Sequence, residues 1–398
     1  MAKIYLKKGK EESLKRFHPW VFSGAIASAD GEIEEGEIVE IYSSDKKFIA
    51  KGHCGLGSIA VRVLTFNDES IDNSWWEMRL MSALDKRRAM GLIENEETTC
   101  YRLVHGEGDL LPGLIVDVYN DIAVVQSHSL GMHEDRKIIA EALKTVMTGF
   151  VSAIYYKSAG TLPDSVSDDE KEGYLFDERT DKTTTSTIVF EHGKKFIVDW
   201  VEGQKTGFFI DQRENRQLVE TYSKGRNVLN TFCYTGGFSV YALAGGAKTV
   251  ESVDCSAKAV ARAEENATIN DYTEEIHKGV TIDAFDYLKN LKEDFYDLII
   301  LDPPAFAKRH KATPNALQGY KRINAQAMTK IKKGGILFTF SCSQAVSKEQ
   351  FRTTVFSAAA IAGRKVSILH QVTQPCDHPV NIYHPEGEYL KGLVLYVE

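Results

Sequence analysis

The sequence predicts an α/β protein in three parts: a small β-barrel over residues 1–70, a central α+β domain over 71–190, and a doubly wound, mostly parallel sheet over 191–398. Three observations carry this. From about Asn227, strand-like runs alternate with helix-like runs of about a dozen residues, the beat of parallel α/β folds. Before residue 70, short runs alternate apolar and polar residues between glycines. Between these regions, strands and helices mix without a regular order.

In the first part, "EGEIVEIYSSDKKFIAKG" and "SIAVRVLTF" alternate as half-buried strands do, and Gly31, Gly36, Gly52, Gly55 and Gly57 punctuate them. "KRFHPWVFSGAI" sets Phe17, Trp20 and Phe22 beside basic residues, and on pattern alone these aromatics read as core. In the second part, "SWWEMRLMSALDKRRAMGLI" and "HEDRKIIAEALKTVM" have the spacing of amphipathic helices. "TTCYRLVHGEGDLLPGLIVDVYNDIAVVQSHS" reads as paired strands with a tight turn, "VSAIYYKS" as a further strand and "STIVFEHGKKFIVDW" as a hairpin. Residues 163–181 carry eight acidic and two basic residues and are expected to be an exposed loop.

In the third part the expected order is strand "NVLNTFC", helix "GGFSVYALAGG", strand "TVESVD", helix "SAKAVARAEENATIN" capped by Ser256, strand "GVTID" and helix "AFDYLKNL". Strand "YDLIILDPP", helix "NALQGYKRINAQAMTKI" and strand "GGILFTFSC" follow.

Composition narrows the function. Of 398 residues 43% are hydrophobic, enough for several cores, yet no apolar run approaches the ~18 residues that span a bilayer. "MAKIYLKKGKEES" lacks the apolar stretch of a signal peptide. The cysteines at 54, 100, 233, 255, 342 and 376 show no CxxC pair, and His53, His105 and His378 have no ligand spacing, so no metal is expected. A reduced cytoplasmic protein is the expectation. Net charge is −8, but six basic residues against two acids lie in 3–16, and eight basic residues with no acid lie in 305–333. Such segments are footprints for a polyanion, or solvated helix faces.

Doubly wound sheets bind ligands at the carboxyl ends of their strands. Those ends carry "CYTGGF", Asp254, Asp283, Asp302 before two prolines, and Cys342 between two serines. A glycine turn entering a helix suits close approach of a ligand. An acid 18 residues past Gly236 suits a ribose hydroxyl, and a third acid suits the amine of adenine. The spacing is not GxGxxG, so the dinucleotide fingerprint is absent. Alternatively each Asp caps the helix after it.

"NTFCYTGGFSV", "ESVDCS", "LDPPAFAK", "GYKRINAQAM", "GGILFTFSCSQ" and "DHPVNIYHPEGEYLKGLVL" resemble the class I S-adenosylmethionine-dependent methyltransferases of the RlmI type, which methylate carbon 5 of cytosine in 23S ribosomal RNA. "GQKTGFFIDQRENR" and "YRLVHGEGDLLPGL" extend the likeness, and "KRFHPWVFSGAI" is similar to the family's N-terminal PUA RNA-binding domain. The resemblance implies a Rossmann-like catalytic domain with S-adenosylmethionine as cofactor. It places Tyr234, Thr235, Gly236 and Gly237 behind the methionine moiety, Asp254 on the ribose, Asp283 on the adenine and Asp302 beside cofactor and target base. Lys205, Asp211 and Arg213 flank the cofactor, and Cys342 is the nucleophile. Phe306 is expected to stack on the flipped base, and Arg16, Trp20, Lys308 and Arg309 to contact RNA. The implied partner is 23S rRNA or a large-subunit assembly intermediate, and a homodimer is admitted. The second cysteine that many RNA cytosine-5 methyltransferases carry directly after the fourth strand is missing from "DPPAF". Cys233 and Cys255 are expected to be structural. Two other readings stand beside this one: an RNA methyltransferase acting on an exocyclic amine, and an RNA-binding assembly factor without catalysis.

Overall fold

The computed structural model describes residues 1–307 and 309–398. They form two compact units. The first comprises Met1–Val189, Val198–Ile210 and Cys376–Gly387, and the second Phe190–Ile197, Asp211–Pro375 and Glu388–Glu398. Among the described residues, no helix is long and apolar enough to cross a membrane.

Two sheets build the first unit. A six-stranded sheet has the order Trp20–Phe22, Ile59–Thr65, Phe48–Cys54, Ile38–Tyr42, Lys3–Leu6, Ile26–Asp30. Alternate residues Ile4, Leu6, Val39, Ile41, Val61 and Val63 turn inward to one core, as the period of two requires. A five-stranded sheet runs Glu172–Asp177, Ala153–Lys157, Ile122–Ser127, Leu114–Tyr119, Cys100–His105. The helix Asn73–Ala89 packs its Trp76, Leu80 and Leu84 into the same core as this sheet. Asp72 caps it by accepting from the Trp75 amide. Arg87 of that helix is fully buried and holds Asp109 through two bonds of 2.7 and 2.8 Å.

The acidic segment 163–181 is not wholly a loop. Glu172–Asp177 pairs antiparallel with Ala153–Lys157 as an edge strand. Tyr174 stacks edge-on against Tyr155, with ring centroids 4.9 Å apart, and Lys144 covers Phe176. The apolar members hold the strand, while the high charge that hid it from sequence keeps a free edge from recruiting other strands.

In the second unit the strands are β1 (Asn227–Thr231), β2 (Thr249–Asp254), β3 (His277–Thr281), β4 (Leu298–Leu301), β5 (Gly335–Ser341), β6 (Val366–Val372) and β7 (Lys391–Val397). The helices are α1 (Arg213–Tyr222), α2 (Gly237–Ala244), α3 (Ala257–Thr268), α4 (Ala284–Lys289), α5 (Thr313–Lys330) and α6 (Lys348–Ala362). Strand order is β3-β2-β1-β4-β5-β7-β6. The first five strands are parallel, and β7 runs antiparallel between β5 and β6. Successive residues point to opposite faces and both faces are covered. Val228, Leu298 and Ile300 meet α1 and α2, whereas Leu229, Ile299 and Leu301 meet α5 and α6. That is why these strands read as continuous apolar runs. The expected strand–helix order stops at Cys342; in the structure α6 continues it as the crossover to β6, which runs parallel to β5, and β7 then inserts antiparallel between them. Order reverses between β1 and β4, which opens a crevice at their carboxyl ends.

One buried ion pair supports that crevice. Arg216 of α1 grips Glu191 through bonds of 2.8 and 2.7 Å, and the Tyr241 hydroxyl donates to the same carboxylate at 3.0 Å. All three side chains are buried. Replacing Glu191 by Ala removes the carboxylate from a buried ion pair, and we expect a loss of roughly 3–5 kcal/mol. Thermal unfolding of Glu191→Ala checks this, with a midpoint lowered by about 10 °C; an unchanged midpoint would remove the pair from the account of stability.

Candidate active site

The crevice is built from five strand ends of the second unit. After β1 the chain makes a compact loop in which Phe232, Tyr234 and Gly236 all have positive φ, at 56°, 47° and 77°. Gly236 is required twice over: its φ favours glycine, and a Cβ there would lie 2.8 Å from the Cβ of Ala263 on α3. Its missing side chain therefore serves helix packing rather than approach to a ligand. Thr235 is held through its carbonyl, which accepts from Asn266 at 2.8 Å. Gly237 opens α2 against the Arg216 side chain.

Asp254 ends β2. One of its oxygens accepts from the Tyr234 amide and the other from the Ser256 amide, each at 3.0 Å. It thus ties the loop to the next strand end, while Ser256 caps α3 as expected. Asp283 follows β3, is exposed, and caps α4 by accepting from the Phe285 and Asp286 amides. The capping reading accounts for Asp283 and not for Asp254 or Asp302.

Asp302 follows β4. It retains some contact with water at the floor of the cleft but is densely surrounded by protein, and its Oδ1 accepts from Gln212 at 3.1 Å. Burial, and then the neighbouring charge of Asp211, push its carboxyl up to about 7. Asp211 accepts from the Tyr389 hydroxyl at 2.8 Å, while its Oδ1 is buried with no hydrogen-bond partner.

Cys342 follows β5. Its flanking serines are fully buried and anchored: Ser341 donates to the Tyr320 hydroxyl at 2.9 Å and Ser343 to the Ala307 carbonyl at 2.5 Å. The cysteine between them is only partly buried. Burial raises its thiol to about 12, the charges of Asp302 and Asp211 add to this, and Lys391 opposes them. Lys391 opens β7, donates to the carbonyls of Ser343 and Val346 at 2.6 and 2.8 Å, and is itself lowered to about 8 by burial. The site at rest therefore holds a neutral thiol. Sequence reasoning quoted the segments that hold Gln212, Tyr389 and Lys391 but assigned these three residues no role, because what they touch is set only by the fold.

The remaining candidates are placed as follows. Arg213 is buried, its Nε 3.5 Å from Glu191. Phe306 packs on Tyr320, with centroids 4.6 Å apart, and stays partly exposed. Arg309 is exposed, and Lys308 lies outside the described residues. The basic run 305–333 does not act as one strip, because Lys330 and Lys332 are paired with Glu293 and Asp297, each at 2.9 Å. Lys205, Arg16 and Trp20 belong to the first unit: Lys205 and Arg16 are exposed, and the Trp20 indole donates to Glu107 at 2.8 Å. Cys233 is buried, as packing predicts, but Cys255 is exposed, since it sits where the chain turns out of β2. Two surface hollows of about 550 and 670 Å³ lie at α1–β6 and α4–α5, away from Cys342 and Asp302, and enter no part of this chemistry.

Comparison with known proteins agrees with the fold. The profile of the S-adenosylmethionine-dependent methyltransferase family matches residues 102–379, and that of a PUA-like domain matches residues 4–66. The chain is 42% identical to the ribosomal RNA large subunit methyltransferase I of Aeromonas hydrophila, over 99% of each chain. It is 41% identical to the protein of the same name from Tolumonas auensis, over 98% of each. Among solved structures, a candidate SAM-dependent methyltransferase from Streptococcus mutans superposes with a TM-score of 0.84 over 100% of both chains at 24% identity, which shows a shared fold.

The raised carboxyl has a stability consequence. In the unfolded chain Asp302 ionises near 3.8, but in the folded chain it keeps its proton to about 7. The folded state therefore loses stability as pH rises through that window and does not regain it above. A carboxamide in its place would be neutral throughout. With water still reaching the cleft, we expect Asp302→Asn to be about 1–3 kcal/mol more stable than wild type at pH 8 and indistinguishable at pH 4. Urea unfolding at the two pH values measures this, and equal stabilities at pH 8 would show a well-solvated carboxylate.

Proposed function

The chain belongs to the S-adenosylmethionine-dependent methyltransferases of the ribosomal RNA large subunit methyltransferase I family, and from that premise we propose that it methylates carbon 5 of a cytosine in 23S rRNA through a covalent adduct at Cys342. The observation that carries this reading is the thiol at the end of β5, partly open and within the electrostatic reach of Asp302 at the end of β4. Methylation of an amine needs no nucleophilic sulfur.

The residues present fit the cofactor. Asp254 and Asp283 end adjacent parallel strands, about 4.8 Å apart, in the order in which a nucleoside presents ribose and base. Tyr234, Thr235, Gly236 and Gly237 form the loop that would back the methionine moiety, with Asp211, Arg213 and Lys205 as flanking candidates. When bound, the cofactor supplies an electrophilic methyl group. Asp254→Ala removes a charged acceptor worth roughly 1.5–3 kcal/mol and should weaken cofactor binding about tenfold to a hundredfold by calorimetry.

Carbon 5 of cytosine is a weak nucleophile until carbon 6 is attacked. In the proposed cycle the Cys342 sulfur bonds to carbon 6 as its proton passes to the carboxylate pair Asp302–Asp211 and a proton is delivered to ring N3. Asp302, titrating near 7, suits both halves of that relay. The ring then has enamine character, and carbon 5 takes the methyl group. Loss of the carbon 5 proton to the carboxylate pair and breakage of the carbon–sulfur bond restore the aromatic ring, and the N3 proton returns to the thiolate. The target base must leave its stack to enter the crevice, where Phe306 offers a partly exposed ring. Arg16, Trp20, Lys308 and Arg309 are the proposed RNA contacts, with rRNA or an assembly intermediate as partner and the cytoplasm as the location. A homodimer fits this reading and forms no part of the chemistry.

The high thiol pKa favours one other reading, methylation of an exocyclic amine, in which Cys342 is a spectator. Cys342→Ala separates the two. We expect it to fold and bind cofactor but to transfer no methyl group. Wild-type protein should form a methyl-dependent covalent adduct with RNA carrying 5-fluorocytosine, because fluorine blocks the proton loss that precedes release. Cys233→Ala and Cys255→Ala should still form it. Undiminished methyl transfer by Cys342→Ala would overturn the cytosine mechanism.

A further inference from the structure

We infer that the first unit contains a binding site for a divalent ion of the zinc class, formed by His18, His384 and Glu386. One ligand atom from each residue lies within 4.8 Å of the others. His18 Nε2 is 3.6 Å from Glu386 Oε1, and His384 Nδ1 is 3.1 Å from Glu386 Oε2. Zinc bonds nitrogen and oxygen at ~2.0–2.1 Å in tetrahedral geometry, which sets neighbouring ligand atoms about 3.3 Å apart. The two histidines lie 3.6 and 3.1 Å from the two different oxygens of Glu386, and the full set of three ligand atoms lies within 4.8 Å, so binding an ion draws the ligand atoms together.

Two independent features point to an ion rather than to a simple ion pair. His384 is 2% exposed, and its Nδ1 is buried and makes no hydrogen bond, although a carboxylate oxygen is near. A buried imidazole nitrogen normally has a partner. The second feature is the outer shell. His18 Nδ1 sits between the Trp20 amide at 3.2 Å and the Trp20 carbonyl at 3.3 Å, so it has a backbone partner in either tautomer. With a proton on Nδ1 donated to that carbonyl, Nε2 is left as a lone-pair donor, the arrangement usual for a histidine bound to metal. Trp20 walls the site, its ring centroid 4.2 Å from that of His384, and Glu107 holds the indole in place.

The donor set of two imidazoles and one carboxylate suits zinc, cobalt or nickel rather than magnesium or calcium. Glu386 is half exposed, which leaves the fourth position to water. His384 and Glu386 come from the segment Cys376–Gly387, and His18 from the N-terminal sheet region of the same unit. The ion would staple that returning segment to the N-terminal region. His18 and His384 lie 366 residues apart, so no spacing rule could reveal them.

The test uses the full chain, stripped with chelator and titrated with CoCl2. We expect one equivalent to produce the intense visible d–d bands of a four-coordinate cobalt ion, without the near-ultraviolet band of a cobalt–thiolate bond, and with quenching of tryptophan fluorescence. ZnCl2 should displace the cobalt and raise the thermal midpoint with its concentration. Glu386→Gln, on a half-exposed side chain, and His18→Gln should fold by circular dichroism and bind at least tenfold more weakly. No stoichiometric band in wild type, a thiolate band, or undiminished binding by both variants would each overturn the site.

Discussion

Two carboxyls and a thiol are packed into one poorly solvated cleft, and the chemistry of the second unit depends on how they share charge. Burial and the charge of Asp211 favour the neutral form of Asp302, and burial with the charges of Asp302 and Asp211 favours the neutral thiol of Cys342. Desolvation pushes Asp302 and Cys342 toward the neutral form, so at rest these two groups hold protons rather than negative charge. Lys391 is the opposing pole, but burial weakens its own hold on a proton. A site in this condition is sensitive to any cation brought into it. A positive charge in the cleft favours the ionised form of every acid there at once, which couples occupancy of the crevice to activation of the sulfur.

That sensitivity requires a stiff frame. The loop after β1 carries three residues with positive φ within five positions, a conformation that persists only where its surroundings over-determine it. Those surroundings are the Asp254 carboxylate on the Tyr234 amide, Asn266 on the Thr235 carbonyl, and Ala263 where a Gly236 side chain would be. Beneath them the Glu191–Arg216 pair fixes the start of α2. An acid expected to hold a nucleoside thus also holds the loop that would line the same ligand, so changes at Asp254 act through shape as well as through a lost acceptor.

Much of this was legible in the sequence because strand ends are marked. Gly236, Asp254, Asp283, Asp302 and Cys342 each follow an apolar run, and the sheet brings the ends of successive parallel strands to one edge. What was hidden has a common cause: partners supplied by residues distant in the chain. Lys391 reaches Cys342 across a strand pairing, Gln212 reaches Asp302 across 90 residues, and His18 meets His384 and Glu386 only after folding. Composition misled in two places. Eight acids in 163–181 masked an edge strand held by Tyr174 and Phe176, and eight basic residues in 305–333 suggested one strip where two lysines are neutralised by local acids.

The stretch Ser341–Cys342–Ser343 shows how a two-residue period becomes a chemical choice. As β5 ends, its alternation sends both serines into protein, where Tyr320 and the Ala307 carbonyl hold them, and turns the cysteine to the crevice. Shifting the register by one residue would bury the thiol and expose a serine, a much weaker nucleophile. Register here is set by β7, whose antiparallel pairing places Lys391 opposite Ser341. The ammonium then reaches past the strand end to the carbonyls of Ser343 and Val346, and it clamps the chain on both sides of the turn. The strand that breaks the parallel pattern therefore does two things for the site: it fixes which side chain faces the crevice, and it supplies the positive charge that works against the burial of the thiol.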